Sequence, residues 1–397
     1  MATTHKPTHP HTLSPPLPHP HREASSWDTP TRLPSLDTLR GLVMVLMALD
    51  HVRDFFSSAR FDPLDLSVTT PAYFLTRWVT HYCAPVFIFL AGVSAFLYAA
   101  RGRSPGYLAR YLFTRGLWLV VLELTVVHLG WFGTFDHQFM LAQVIWAIGW
   151  SMVALSVLVA LRLPLWAIAA FGLVMIAGHN LLGGLDRANL GAWESLWTVL
   201  HRPGPIQFGD DYQLFVLYPL VPWIGVLAAG YAFGPLLLRP APERRRWLLA
   251  LGAGLTLAFV VLRFTRLYGD PRPWLPRADG LLSLFDFIHV EKYPPSLLFL
   301  LMTLGPALLL LAWLDRLPQP GPLSRFFITF GRVPLFYYVL HLLLIRALGM
   351  LLVPPGGGYG LPVVYLVWLA VVAALYPVCS LFKRLKQHRQ DWWLSYL

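Results

Sequence analysis

Ionisable side chains stand in four stretches of this sequence that are otherwise apolar. Asp50 and His51 fall near the end of "TLRGLVMVLMALDHVRDFF", His81 precedes "YCAPVFIFLAG", Glu123 interrupts "LVVLELTVVHLG", and His341 sits in "RVPLFYYVLHLLLIR". Imidazole titrates near neutrality, and a neighbouring carboxylate can orient the ring and stabilise its cation. Histidines grouped with carboxylates are what a general base or an acyl carrier requires. Inside a membrane span such groups face a bundle interior or a water-filled cavity, and they mark function by default.

The elements that must position them are membrane helices. The chain has 397 residues, 56% hydrophobic and 13% charged, whereas a soluble domain carries about 25% charged residues. Apolar segments of roughly 18–25 residues, the length a bilayer requires, lie near 36–56, 76–99, 108–132, 139–161, 164–182, 214–237, 246–266, 294–314, 332–353 and 361–382. The expected fold is all-α, a polytopic transmembrane helical bundle of about ten spans. The loops near 183–213 and 267–293 are long for structureless connections and are expected to fold over something.

The net charge of +11 does not read as a nucleic-acid surface, because Lys and Arg sit in short clusters between apolar runs. Arg101, Arg103, Arg110 and Arg115 form one cluster, Arg239 and Arg244 to Arg246 a second, and Lys383, Arg384, Lys386 and Arg389 a third. If every span crosses, all three share one side, and the positive-inside rule makes it cytoplasmic, together with both termini. Residues 1–34, rich in Pro, His and Thr, read as a disordered cytoplasmic tail. Residues 35–382 form the membrane domain, and 383–397 a basic cytoplasmic tail. Cys83 and Cys379 have neither metal-ligand nor disulfide-framework spacing, and no metal is expected. P-loop, GxSxG, HExxH and dinucleotide fingerprints are absent from the sequence.

Counting along the helices at 1.5 Å per residue sets Asp50, His51, His81, Glu123, Gln143 and His341 in one layer between the midplane and the outer face. Each has a structural alternative. Asp50 and Arg53 could be an i, i+3 pair that ends the helix, His81 could bond a carbonyl freed by Pro85, and Glu123 could sit in a structural ion pair. Tyr218 and Trp223, in "YPLVPWIGVLAAGYAFG", could line a groove, and Lys292 and Tyr293 stand at the outer boundary. At the other face, Arg40, Arg115 and Arg332 could hold phosphates, with a snorkelling helix anchor as the alternative for Arg332.

In order along the chain, "SLDTLRGLVMVLMALDHVRDFF", "HYCAPVFIFLAGVSAFLY", "QVIWAIGWSMV", "YPLVPWIGVLAAGYAFG", "KYPPSLLFLLMTLGPALLLLAW" and "GRVPLFYYVLH" resemble bacterial members of the heparan-alpha-glucosaminide N-acetyltransferase-like membrane family. The resemblance covers roughly 35–382. It implies a bacterial inner-membrane acyltransferase with acetyl-CoA as donor substrate and an acceptor, often a sugar, on the far side of the membrane. One departure stands out. The lysosomal enzyme places its proposed catalytic histidine in the loop after the "LRG" helix, and here that loop, 57–70, contains no histidine.

The expected catalytic set is thus His51 oriented by Asp50, with His81, Glu123 and His341. Gln143, Tyr218, Trp223 and Tyr293 are expected to bind the acceptor, and Arg40, Arg115 and Arg332 the acyl-CoA. Membrane lipids are expected partners, and a homodimer is open. The rival reading is a proton-coupled transporter or flippase that uses the same polar layer.

Overall fold

The computed structural model describes residues 33–185, 190–317, 319–389 and 391–396. Nearly all of the tail read as disordered, including its five histidines, lies outside the described residues. Every segment expected to span holds a helix, and eight are long and apolar enough to cross a membrane by length and composition.

The first, α1 (Pro34–Phe56), is long enough to cross, but its charged residues dilute its apolar content. Next come α2 (Pro71–Thr80) and α3 (Cys83–Ala99), which run on as one apolar unit. Helix α4 (Pro105–Leu122) continues through a π turn, Glu123–Val127, into α5 (His128–Phe132). Then follow α6 (Val144–Ala160), α7 (Leu165–Gly178), the short α8 (Glu194–Leu200), α9 (Leu220–Leu237) and α10 (Ala241–Thr265). The rest is α11 (Gly280–Ile288), α12 (Leu297–Leu314), α13 (Pro322–Arg332), α14 (Pro334–Leu352) and α15 (Leu361–His388). Proline opens many of these helices, where its missing N–H costs nothing.

Bare backbone lets the helices approach closely, as membrane packing favours. A Cβ on Gly41 would overlap the Phe327 carbonyl, and one on Gly331 the Asp37 carbonyl. Because α14 begins just past this α1–α13 crossing, His341, eight residues into α14, comes level with His51, eighteen residues into α1.

The structure adds a small sheet to the helical bundle. Strand β1 (Phe139–Ala142) runs parallel to β3 (Tyr212–Val216), which pairs antiparallel with β2 (Gly204–Phe208). The β2–β3 hairpin belongs to the first long loop, so that loop is folded. The Ala142 carbonyl accepts the N–H groups of Leu217 at 3.0 Å and Tyr218 at 3.2 Å, which pins Tyr218 beside Gln143.

The second long loop folds around Arg263, whose relative exposure is 2%. Its guanidinium donates to the carbonyls of Phe287 (2.9 Å), Arg272 (2.5 Å), Asp286 (2.9 Å) and His289 (2.7 Å). Asp270 ties the loop's ends by accepting from Glu291 N (2.9 Å) and Ser296 Oγ (2.7 Å). Phe285 of α11 stacks on Phe74 of α2, with ring centroids 4.2 Å apart. This cover fixes the backbone at Lys292 and Tyr293.

Candidate active site

Helices α1 and α14 bring His51 and His341 together. The two rings lie nearly parallel, with His51 Nδ1 2.8 Å from His341 Nε2. His341 Nδ1 is 2.8 Å from the Tyr337 carbonyl of the preceding turn. A carbonyl only accepts, so Nδ1 of His341 carries its proton and, in the neutral ring, Nε2 accepts from His51 Nδ1. The remaining lone pair of the chain is then on His51 Nε2. Trp131 stands edge-on to His51, with centroids 5.0 Å apart. It is held there by Gly130 against Leu342 and by Arg346, which donates to Phe132 O at 2.8 Å.

His51 lines a cavity of about 230 Å³ together with Asp50, Asp54, Arg77, Thr80, Trp131, Gln143, Tyr218, Lys292 and Tyr293. Asp50 does not orient His51. Its carboxylate accepts from Arg77 Nη1 at 2.7 and 2.5 Å and from Thr80 Oγ1 at 3.0 Å, and it pairs with Arg53 at 2.9 Å. Two guanidiniums attract Asp50 more strongly than a neutral imidazole, and the orienting bond to His51 comes from His341. The i, i+3 pair with Arg53 is thus real, but Arg77 of α2 carries the larger share of the contacts.

Glu123 opens the π turn and reaches the start of α6, where Oε1 accepts from Gln143 N at 3.0 Å. An accepting oxygen there satisfies one of the N–H groups left unpaired at a helix start. Glu123 is therefore placed behind Gln143, which itself lines the cavity. Tyr218 stacks on Trp223, and Trp223 is fully buried behind it rather than on the cavity wall. His81 is also fully buried, edge-on to Phe299, and among the described residues neither ring nitrogen has a hydrogen-bond partner. The bond to a carbonyl freed by Pro85 is not formed.

A second, larger cavity of about 700 Å³ opens near the other end of α1. Arg40, Arg115 and Arg332 all line it, as do Arg101, Arg244, Lys383 and Lys386, whereas among the described residues Asp37 is the one acid on its wall. Arg40 is set by Ser94 Oγ at 2.7 Å and the Gly331 carbonyl at 3.2 Å, and Arg332 by Asp37 at 3.3 Å. The two cavities approach one another at α6, where Val144 lines the first and Ile145 the second. On α3, Ala84 and Phe87 face the two cavities one helical turn apart.

Arg77, Thr80 and Trp131 were not among the expected site residues. The sequence places the start of the second span near 76, whereas the helix starts at Pro71 and carries Arg77 into the bundle. A cation within "FLTRWVTHYC" was the available signal. Trp131 had none, because indoles are common at both membrane boundaries.

The fold and the site together define a polytopic helical membrane protein in which one of two paired, buried histidines lines a polar cavity. Residues 32–263 match the family model for the catalytic domain of heparan-alpha-glucosaminide N-acetyltransferase, and the chain belongs to this family. It is a multi-pass membrane protein of the acetyltransferase kind. The match stops before α12, so His51, His81 and Glu123 lie within it and His341 beyond it. No curated protein matches the chain.

Proposed function

We propose that the chain moves an acetyl group from cytoplasmic acetyl-CoA to a hydroxyl or amine, on a sugar, at the outer side of the membrane. The observation that supports this is the nearness of the two cavities, one lined by Val144 and the other by the next residue of α6, Ile145. Phosphates of the donor would rest on Arg40, Arg115 and Arg332, since guanidinium groups suit phosphate oxygens. The thin pantetheine arm would pass between α1, α3 and α6 and bring the thioester to the histidine cavity.

His51 Nε2 then takes the proton that the acceptor hydroxyl or neutral amine gives up as it attacks. The acceptor oxygen or nitrogen attacks the thioester carbonyl, a C–O or C–N bond forms, and the C–S bond breaks. Coenzyme A leaves as its thiolate and recovers a proton from His51. His341 accepts the Nδ1–H bond throughout and steadies the imidazolium while it exists. Holding both reactants in one crevice supplies much of the rate.

The test is coenzyme A binding and acetyl-CoA turnover by the purified chain in lipid nanodiscs. Micromolar binding with slow thioester hydrolysis supports the reading. Absence of both overturns it and returns the proton-coupled transporter. The clustering of Lys and Arg supports cytoplasmic termini, so a reporter active only in the periplasm should stay silent when fused to the C-terminus.

A further inference from the structure

The histidine cavity holds more positive charge than its own carboxylates balance. Among the described residues three cations line it, Arg53, Arg77 and Lys292, against two acids, Asp50 and Asp54. Both acids are already engaged. Asp50 is held by Arg77 and Arg53, and Asp54 accepts from Arg53 Nη2 at 2.7 Å. Lys292 is left over. Its relative exposure is 7%, and among the described residues no carboxylate lies within ion-pair distance of Nζ. Its polar neighbour is the phenol of Tyr293, whose ring centroid is 5.1 Å from Nζ.

A desolvated ammonium without a counter-ion is costly. The surrounding structure nevertheless goes to some length to keep it there. A β-bridge joins Lys292 to Pro295, and the Arg263 and Asp270 anchors hold the loop from both sides. An anion delivered by the bound molecule would restore the balance, with Tyr293 and Tyr218 beside it as hydroxyl donors. The same cavity holds His51, so that anion would sit on the acceptor, close to the group that is acylated.

We propose that Lys292 binds an anionic group of the acceptor, a carboxylate or a phosphate, so that the chain selects acidic sugars over neutral ones. This rests on the acyltransfer reading for the identity of the acceptor, though the anion site can be measured without turnover. The probes are two matched pairs, glucose with glucuronate and glucosamine with glucosamine 6-phosphate. Their dissociation constants would be measured on the full chain in nanodiscs by saturation-transfer NMR. At least one acidic probe should bind about tenfold or more tighter than its partner lacking the anionic group, the scale of one charge-assisted contact. Whichever pair shows the gap distinguishes carboxylate from phosphate. Lys292→Gln should close the gap, and Lys292→Arg should restore most of it.

Equal binding of the acidic probes and their partners by the wild type overturns the proposal, as does a gap that survives in Lys292→Gln. If that surviving gap comes with loss of thioester hydrolysis in Lys292→Gln, Lys292 is instead a stabiliser of the reacting oxyanion. Coenzyme A titrated into the same samples reads the acyltransfer proposal separately. Its failure to bind sinks that reading and leaves the sugar result standing.

Discussion

His51 Nδ1 and His341 Nε2 lie 2.8 Å apart, and the Tyr337 carbonyl fixes which of the two rings gives the proton. A buried imidazole is thus oriented by a second imidazole, with no carboxylate between them. If His51 is the base, His51→Gln should lower acetyl transfer by roughly 10²–10⁴-fold, the range for loss of a general base. Coenzyme A binding should persist, because the basic cavity does not include His51. His341→Gln keeps an acceptor for the Nδ1–H of His51 and should lose less than His341→Leu, which keeps none. Single-turnover rates of the three variants check this, and equal losses for Gln and Leu at 341 would remove His341 from the positioning role.

Asp50 was expected to assist His51, and its neighbours assign it a different task. It neutralises Arg77 and Arg53 in a crevice where both guanidiniums are largely buried. Asp50→Asn keeps the shape but removes the shared charge, leaving two cations beside each other. Breaking a buried pair from one side costs about 3–5 kcal/mol. Thermal unfolding in detergent should therefore show Asp50→Asn well below the wild type. The double variant Asp50→Asn with Arg77→Gln should recover part of that loss. An Asp50→Asn protein of wild-type stability but reduced rate would restore the catalytic role.

The sequence made the helices legible because membrane spans must be long and apolar, and that signal is local. It also made legible which side chains were out of place in those spans, so His51, His341, Asp50 and Gln143 could be named. What stayed hidden depends on contacts between distant segments. The partner of Asp50 is 27 residues away and the partner of His51 is 290 residues away. Trp223 reads as a groove residue from its Pro- and Gly-rich surroundings, but Tyr218 comes between it and the cavity. The sheet was missed because β1 is only four residues long and abuts a membrane helix. The folding of the second long loop was foreseeable, since loops of that length rarely stay structureless. Its anchor is an arginine at the end of a span, a position where snorkelling arginines are common and carry no local mark of such a role.

The basic cavity yields a prediction about the donor. Arg115 stands on α4 beside Tyr111, with Nη1 3.4 Å from the phenol oxygen. Arg40 and Arg332 both contact Asp37 at the α1–α13 crossing. Arg115→Ala should weaken coenzyme A binding by about tenfold, one charge-assisted contact to phosphate. Arg40→Ala should weaken binding too, and also lower the melting temperature, because it loses the bonds to Ser94 and Gly331. Calorimetric titration with coenzyme A beside a melting curve for each variant separates the two effects. Undiminished binding in Arg115→Ala, Arg40→Ala and Arg332→Ala alike would rule the cavity out as the donor site.

The loop that carries Lys292 should loosen in acid, and His289 is the reason. Burial, with the Arg272 guanidinium beside it, pushes the His289 imidazole down to about 4. Its Nε2 lies 3.2 Å from Arg272 Nη1, where only an unprotonated nitrogen can accept. The folded loop thus favours the neutral ring, whereas an opened loop binds a proton near the ordinary histidine value of about 6.5. The sign follows from linkage. Stability from His289 is fully present above about pH 6.5, falls as the pH drops toward 4, and changes no further below that. Hydrogen–deuterium exchange of residues 267–293 should therefore quicken between pH 6.5 and 4, after correction for the intrinsic pH dependence of exchange. His289→Gln should flatten that rise, because glutamine does not titrate. A rise of the same size in His289→Gln would assign the acid sensitivity to the carboxylates of the loop instead.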